Sequence, residues 1–351
     1  MQDQEEKIYK LTQYSHGAGC GCKIAPAVLD KILSSANASS VLHPSLLVGN
    51  KERDDAAVMD IGDGTAIVST TDFFMPIVDD PKTFGKIAAV NAISDIYAMG
   101  ASPLMAIAIL GWPIKDLPPE VAGQVIEGGR AACAEAGIPL AGGHSIDCPE
   151  PVFGLAVTGK VDIKNLKKNG GATIGSSLFL TKPLGVGILA TSQKKGLLTA
   201  EHQKLAIRSM TALNKIGEVY GKQPYIEAMT DVTGFGLMGH LSEMCEASNT
   251  TANVYYDKVP LLDKAILEYY LDNNCIPGGT NRNWDSYGHK VAPLSDRHKH
   301  ILCDPQTSGG LLVAVAKGEE NHFHQLNRAL GIELKALGTM VAQEEYLVNV
   351  L

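Results

Sequence analysis

The chain has 351 residues, of which 45% are hydrophobic and 19% are charged, and this composition excludes an intrinsically disordered protein. A chain of this length exceeds what one ordinary hydrophobic core holds, so two domains are expected. The formal net charge is −8 and no Lys/Arg-rich run is present, which argues against a nucleic-acid partner bound through its phosphates.

The chain starts with the polar stretch MQDQEEKIYK, which lacks the apolar core of a secretory signal. An uncharged stretch between Asp95 and Lys115 reaches membrane-spanning length, but glycines and prolines interrupt it, and we read it as a helix end, a turn and a strand. The seven cysteines are scattered and odd in number, unlike a disulfide framework. These features predict a cytoplasmic protein without a membrane segment.

Residues 1–45 are expected to form a flexible segment that contains the glycine-rich run HGAGCGCK. Beyond it, the N-terminal half of the chain carries short apolar runs typical of strands, at 45–48, 56–59, 66–70, 104–110, 138–141 and 152–161. The run at 104–110 is expected to be a buried strand. The last two runs are expected to flank a loop with the sequence GGHSIDCPEP.

Two helices are predicted between these strands. The first covers residues 81–99, because Asp80 is a typical N-cap and Gly100 follows the last helical residue. The second is amphipathic, covers residues 120–136 and ends at Gly137.

The composition changes to Lys, Asn and Gly at 164–175, which predicts an N-terminal domain over 46–165 and a C-terminal domain over 172–351. The expected elements of the second domain are a strand at 177–181, a helix at 201–219, a helical segment at 231–247 that opens with a glycine-rich turn, a loop at 277–287 and a strand at 311–315. Strands outnumber those of a clean βα alternation, so the predicted fold class is α+β.

The densest cluster of reactive side chains is in HGAGCGCK. Lys23 lies close to the thiols of Cys20 and Cys22, and a neighbouring ammonium lowers a thiol pKa and favours a nucleophilic role. Two other interpretations remain open. His16 with the two cysteines would be part of a soft-metal site, although no second pair of ligands has matching spacing. The stretch would otherwise be a mobile glycine loop with incidental cysteines.

Aspartates stand at the ends of several apolar runs. Asp54 and Asp55 precede AAVM, Asp72 closes IVSTT, Asp95 follows Asn91 by one helical turn, and Asp231 lies in TDVTGFG. Each one alone is typical of a cap or a turn, but together they offer the hard oxygen ligands that Mg²⁺ prefers. The run GGHS at 142–145 is either a phosphate-binding turn or an ordinary tight turn. No P-loop motif is present, so an ATP site here would be of another kind.

As a set, these motifs closely resemble the selenophosphate synthetase (selenide, water dikinase) family. The resemblance runs in order from about Thr12 to beyond Gly310 and is carried by YSHGAGCGCK, GNKERDDAAV, STTDFF, NAISDIYAMG, AGGHSID, MTDVTGFGLMGH and CDPQTSGG. It implies the two-domain α+β fold shared with aminoimidazole ribonucleotide synthetase, in which the N-terminal domain closes a β-barrel across a homodimer. It also implies the reaction ATP + selenide + water → selenophosphate + phosphate + AMP.

The resemblance also assigns site residues, position by position. The catalytic residues it implies are Cys20 and Lys23. The nucleotide contacts it implies are Lys23, Lys51, Glu52, Arg53, Asp72, Asp95, Gly143, His144 and Ser145. The Mg²⁺ ligands it implies are Asp54, Asp95 and Asp231. The expected partners are ATP, selenide, a second copy of the chain and a selenium-delivery protein.

Two rival functions remain at this point. One is another ATP-dependent enzyme of the same superfold. The CGCK run argues against it, and AMP formation that depends on the substrate would distinguish the two enzymes. The other is a non-enzymatic soft-metal carrier that uses His16, Cys20 and Cys22. Tight Zn²⁺ or Cu⁺ binding without ATP turnover would favour the carrier.

Overall fold

The computed structural model describes residues 9–24, 28–29, 31–32, 43–49 and 54–351. The strands of this part of the chain form two six-stranded sheets, one in each half of the sequence. We call the first, within residues 46–162, the N-terminal sheet and the second, within residues 177–350, the C-terminal sheet. This arrangement confirms the predicted α+β class.

The N-terminal sheet has the strand order β1-β2-β3-β6-β4-β5. Its strands are β1 (Leu46–Val48), β2 (Ala57–Asp60), β3 (Thr65–Phe74), β4 (Ser102–Trp112), β5 (Leu140–Asp147) and β6 (Val152–Asp162). Neighbouring strands are antiparallel except for β4 and β5, which are parallel. One face of the sheet is covered by two helices, α1 (Pro81–Ala98) and α2 (Pro119–Ala136).

The ends of both helices follow from local sequence signals. The Asp80 carboxylate accepts a hydrogen bond from the Thr83 backbone N–H at 2.7 Å, which makes Asp80 the N-cap of α1. Gly100 follows the last turn of α1 with φ +71°, and Gly137 caps α2 with φ +82°. Both glycines adopt the left-handed conformation that most other residues avoid. The two predicted helices are therefore confirmed.

Two predictions for this sheet are wrong. The run GGHSID is not a loop, because it forms most of β5, an edge strand that pairs with β4 only. The expected buried strand at 104–110 is buried on one face only, since Leu104, Met105 and Ile107 are about half exposed. An apolar run looks the same whether a strand is covered on one face or on two.

The C-terminal sheet has the order β12-β9-β11-β7-β10-β8. Its strands are β7 (Ser177–Leu180), β8 (Ile226–Asp231), β9 (Thr250–Val254), β10 (Leu311–Val315), β11 (Gly338–Ala342) and β12 (Val348–Val350). The helices of this half are α3 (Val186–Lys194), α4 (Ala200–Met210), α5 (Ile216–Gly221), α6 (Gly236–Ser248), α7 (Lys264–Asp272), α8 (Gly278–Tyr287), α9 (Asp296–Leu302) and α10 (Glu320–Ala329).

The helix predicted over 201–219 is two helices, because the chain breaks between α4 and α5. In the break, the buried Asn214 side chain donates hydrogen bonds to Ser94 Oγ and to the Gly309 carbonyl, both at 2.8 Å. These long-range bonds fix the backbone outside helical geometry.

The loop predicted over 277–287 is the helix α8. Its Asn283 amide donates to the carbonyls of Gly234 (2.9 Å) and Cys303 (3.1 Å), and its Tyr287 hydroxyl donates to the Phe235 carbonyl (2.5 Å). Tertiary contacts thus override the poor helix propensity of its Gly and Asn residues.

Helix α1 is the central element of the molecule, and most of its side chains are fully buried. It packs on the N-terminal sheet and α2, and it also contacts β8, α4 and α5 of the second half. This position explains why α1 is buried around most of its circumference. Among the described residues, no helix has the length and apolarity needed to cross a bilayer.

Candidate functional site

The site lies where α1 meets both sheets. Asp72 projects from the helix-covered face of β3, and Asp231 ends β8. Helix α1 presents Asn91, Ser94 and Asp95 on one side, since residues three and four apart share a helix face. The sequence separates these groups widely, and the packing of the two halves brings them together.

Cys20 closes the site from the N-terminal segment and is 1% exposed. Its backbone N–H donates to Thr307 Oγ1 at 2.9 Å, and its thiol donates to Asn91 Oδ1 at 3.2 Å. Asn91 also donates from its amide to Asp72 Oδ2 at 2.7 Å and accepts the Ser308 N–H at 2.7 Å. Asn91 thus links the cysteine, the carboxylate and the second half of the chain.

Lys23 lies beside this group, with its Nζ 2.9 Å from Asp72 Oδ2. Burial opposes its charge, but the carboxylates of Asp72 and Asp95 outweigh burial and raise the pKa of Lys23 above its ordinary value. Lys23 is therefore held as an ammonium ion.

The expectation of a lowered thiol pKa is wrong for this arrangement. Burial, followed by the Asp72 charge, raises the pKa of Cys20 above its ordinary value, and the Lys23 ammonium opposes that rise without reversing it. The physical reason is that the thiol is fully buried and lies near the Asp72 carboxylate with which Lys23 is paired. The Cys20 thiol is held protonated, consistent with its donation to Asn91.

The remaining carboxylates are also buried and oppose one another's ionisation. Asp95 accepts a hydrogen bond from Thr70 Oγ1 at 2.5 Å, and Asp231 accepts one from Ser94 Oγ at 2.6 Å. Burial, followed by the charges of Asp231 and Asp72, raises the pKa of Asp95. Burial also raises the pKa of Asp231 to about 6. A site of this kind favours a bound cation.

The structure adds Asp55, which the sequence analysis did not select as a ligand. Burial and the charges of Asp231 and Asp95 raise the pKa of Asp55. Its Oδ1 accepts from Thr230 Oγ1 at 2.8 Å, whereas its Oδ2 is buried and no described residue hydrogen-bonds it. The predicted ligand Asp54 instead accepts the Asn169 N–H at 2.6 Å. Of the two, Asp55 is the residue whose pKa the charges of Asp231 and Asp95 raise, so it belongs to the cluster.

The donor set fits Mg²⁺. All candidate ligands are carboxylate oxygens, and the Oδ2 of Asp55 is a buried acceptor to which no described residue donates a hydrogen bond. Within the described ranges, no three His, Cys, Asp or Glu side chains converge closely enough to hold a metal ion. Mg²⁺ commonly binds to one or two carboxylates plus substrate phosphates, so this arrangement suits an ion that arrives with a nucleotide.

One of the other predicted nucleotide-binding segments cannot be placed, and another lies away from the carboxylate cluster. Lys51, Glu52 and Arg53 fall outside the described residues. Gly143 lies level with Asp72 across the N-terminal sheet, because the cross-strand pairs run from Asp72 through β6 and β4 to Gly143. Three strand spacings, about 14 Å, separate the two residues. A Cβ at Gly143 would lie 2.3 Å from the Ala108 carbonyl oxygen, so glycine is required there by the packing of β5 on β4.

The two other residues of this run point to opposite faces of the sheet. Ser145 shares the helix-covered face with Gly143, and His144 lies on the uncovered face. Both are exposed.

The N-terminal segment is fastened over the site by three contacts. The Arg282 guanidinium donates to the Gly21 carbonyl at 2.8 Å, and the Lys194 ammonium donates to the Gly17 carbonyl at 2.6 Å. The His16 ring lies 2.8 Å from Glu150 Oε1. His16 is thus directed to a carboxylate at the surface while Cys20 is buried against Asn91, which does not favour the soft-metal interpretation. The Cys22 side chain lies outside the described residues.

Comparisons with known proteins agree with this architecture. The family model "AIR synthase related protein, N-terminal domain" matches residues 53–161, and "AIR synthase related protein, C-terminal domain" matches residues 173–350. The fold of thiamine-monophosphate kinase from Stenotrophomonas maltophilia is similar, with a TM-score of 0.65 and 20% identity over 92% of this chain and 95% of that one. This likeness confirms the expected two-domain fold.

Two curated proteins are much more similar in sequence. The selenide, water dikinase of Photorhabdus laumondii is 61% identical over 335 residues, which cover 95% of this chain and 96% of that protein. The selenide, water dikinase of Pasteurella multocida is 59% identical over 344 residues, or 98% of this chain and 97% of that protein.

Proposed function

Because this chain belongs to the selenide, water dikinase family, we propose that it converts ATP, selenide and water to selenophosphate, phosphate and AMP at the junction of its two halves. The observation that supports the site most strongly is the meeting of Cys20, Lys23, Asp72, Asp95 and Asp231, which come from both halves of the chain.

The charge of the site argues for a metal-bound nucleotide. A triphosphate carries about four negative charges, and the site already holds the carboxylates of Asp55, Asp72, Asp95 and Asp231. Mg²⁺ supplies the charge neutralisation that phosphoryl transfer needs. We assign Asp55, Asp95 and Asp231 as the carboxylates that hold Mg²⁺ together with the nucleotide phosphates, each ion taking one or two of them. Asp55 replaces Asp54 in this set, because the charges of Asp95 and Asp231 act on it.

The protein groups would then position the reactants. The Lys23 ammonium, held by Asp72, contacts the phosphates and offsets charge as a phosphoryl group leaves. The Cys20 thiol, held by Asn91, contacts the selenium acceptor from the closed side of the site. The segment over Cys20 excludes water from a soft, easily oxidised acceptor, and its opening would admit the nucleotide.

We further propose a homodimer formed by the uncovered face of the N-terminal sheet. Five apolar side chains of this face are each 43–58% exposed, namely Met59, Phe73, Met105, Ile107 and Ile146. A contiguous apolar sheet face is typical of an interaction surface, and a second copy would cover it. His144 lies on the same face and would be covered with it. We also place the protein in the cytoplasm, where a delivery protein would supply selenium.

The test is ³¹P NMR of the protein with ATP, Mg²⁺ and selenide under anaerobic conditions. We expect a phosphorus–selenium product together with AMP and phosphate. Cys20→Ser should abolish the product and keep the melting temperature. ATP consumption that yields ADP alone, or that ignores selenide, would favour another ATP-dependent enzyme of the superfold.

A further inference from the structure

A cavity outside the carboxylate cluster is the strongest unassigned feature of the molecule. Its volume is about 290 Å³, and it lies between the N-terminal segment, α3 and the start of α8. Lys194, Arg282 and His16 line it, and none of its lining residues that the structure describes is an acid. Glu150 lies beside His16, but the two cations Lys194 and Arg282 make the cavity attractive to anions. We call it the vestibule.

The vestibule continues toward the cysteine. A narrow crevice of about 10 Å³ is lined by Cys20, Lys23 and Phe235, and it shares Gly21, Gly279 and Arg282 with the vestibule. That volume holds about one water-sized particle. The crevice therefore lies between the vestibule and Cys20, and it admits a single heavy atom but excludes a nucleotide.

Arg282 stands at the junction of the two spaces. Its guanidinium donates to the Gly21 carbonyl at 2.8 Å, and among the described residues it forms no ion pair with a carboxylate. A guanidinium has five N–H donors, so this one bond leaves donors for a passing anion. Lys194 reaches the same segment one turn earlier, through the Gly17 carbonyl. The His16 ring is close to Glu150, so its charge is offset locally.

We infer that the vestibule is the access route of the selenium substrate, with Arg282 as the residue that passes a small monoanion to Cys20 while the N-terminal segment is closed. Hydrogen selenide is a stronger acid than hydrogen sulfide and is a monoanion near neutral pH. Its single heavy atom suits the crevice. Water stays excluded while selenide is replaced, because the N-terminal segment remains closed. The identity of the substrate as selenide rests on the proposed function, whereas the anion site at Arg282 does not.

The first test uses steady-state kinetics to distinguish a role of Arg282 in the entry of selenide from a role in positioning the N-terminal segment. We expect Arg282→Gln to raise KM for selenide about tenfold, comparable to losing one charge-assisted contact, while KM for ATP and kcat at saturating selenide change less than twofold. Arg282→Lys should recover most of the loss, and Lys194→Gln should raise the selenide KM about threefold. The control is Lys195→Gln, which removes the cation next to Lys194 in the sequence. The Lys195 ammonium donates to the Asn274 carbonyl and does not line the vestibule. If Arg282→Gln lowers kcat and leaves the selenide KM unchanged, Arg282 only positions the segment and the route is wrong.

The second test needs no turnover. Iodide is a soft monoatomic anion, and its ¹²⁷I resonance broadens when it binds to a protein. The parent protein should broaden the line saturably, Arg282→Gln should lose most of that broadening, and Lys195→Gln should match the parent. Equal broadening by the parent and Arg282→Gln would overturn the anion site. If the parent shows the broadening but makes no selenophosphate, the anion site stands and the proposed function fails.

Discussion

Asp231→Asn tests the charge balance of the site most directly, because it removes one negative charge from the cluster and nearly preserves the shape. Asp231 is 2% exposed, and Ser94 Oγ donates to it at 2.6 Å. An asparagine oxygen accepts the same bond. The fold should therefore survive, and the difference between the two proteins should be electrostatic.

The magnitude follows from the pKa of Asp231. Burial raises this pKa from 3.8 to about 6, which corresponds to about 3 kcal/mol. A folded-state pKa above the unfolded value means that the folded protein binds more protons between pH 4 and 6. The stability of the metal-free parent therefore falls as the pH rises through this window. Asp231→Asn lacks that penalty and should exceed the parent by up to about 3 kcal/mol at pH 7.5, and by much less at pH 4.5.

The assay is urea unfolding of EDTA-treated proteins at both pH values, with the exposed Asp116→Asn as the control. Mg²⁺ and ATP should raise the stability of the parent and leave that of Asp231→Asn nearly unchanged. AMP production by Asp231→Asn should fall about a hundredfold, as when one electrostatic catalytic contact is lost. A metal-free variant that is no more stable than the parent at pH 7.5, or one with normal turnover, would contradict an electrostatic role for Asp231.

The other predictions concern the thiols, the N-terminal segment, the dimer face and a second buried carboxyl. Cys20→Ser should abolish selenide-dependent AMP formation and Cys22→Ser should retain most of it, whereas equal losses would indicate a shared metal site. ATP with Mg²⁺ should slow hydrogen exchange over residues 16–23, and unchanged exchange at saturating nucleotide would argue against a closing segment. Ile107→Asp should give a monomer in light scattering without a large fall in melting temperature, and a persistent dimer would place the interface elsewhere. Burial raises the pKa of Asp304 to about 8, so parent stability should fall as the pH rises from 4 to 8, and Asp304→Asn should flatten that dependence in urea unfolding; an unchanged slope would contradict it.

Local signals in the sequence were sufficient for part of the fold. Helix α1 could be predicted nearly to the residue, because Asp80 and Gly100 act on the backbone within one turn of each helix end. The strand in GGHSID could not, because β5 is an edge strand whose pairing with β4 involves residues more than thirty positions away. Helix α8 was missed for a similar reason, since Asn283 stabilises it through contacts with distant carbonyls.

The kinds of residue that form the site could be predicted from the sequence, but their arrangement in space could be predicted less well. Asp72 and Asp231 stand at the ends of apolar runs, and Asp95 follows Asn91 by one helical turn. In the structure the three carboxylates are close enough for their charges to act on one another, and their roles as ligands and nucleotide contacts stay predictions. Asp55 could not be distinguished from Asp54, because adjacent carboxylates look equivalent until the backbone direction is known. The thiol pKa was misjudged since proximity of Lys23 in sequence does not reveal its pairing with Asp72.

The packing of the two halves and the chemistry of the site depend on the same helix. On one side, α1 approaches α5 so closely that a Cβ at Gly217 would lie 2.2 Å from the Tyr97 carbonyl oxygen. On the other, its Asn91 joins Cys20 to Asp72, and its Ser94 joins Asp231 to Asn214. A displacement of either half along α1 would therefore separate the thiol from the carboxylates before it exposed much of the core. It follows that substitutions at the α1–α5 contact, far from any reacting atom, should reduce turnover at temperatures where the protein is still folded.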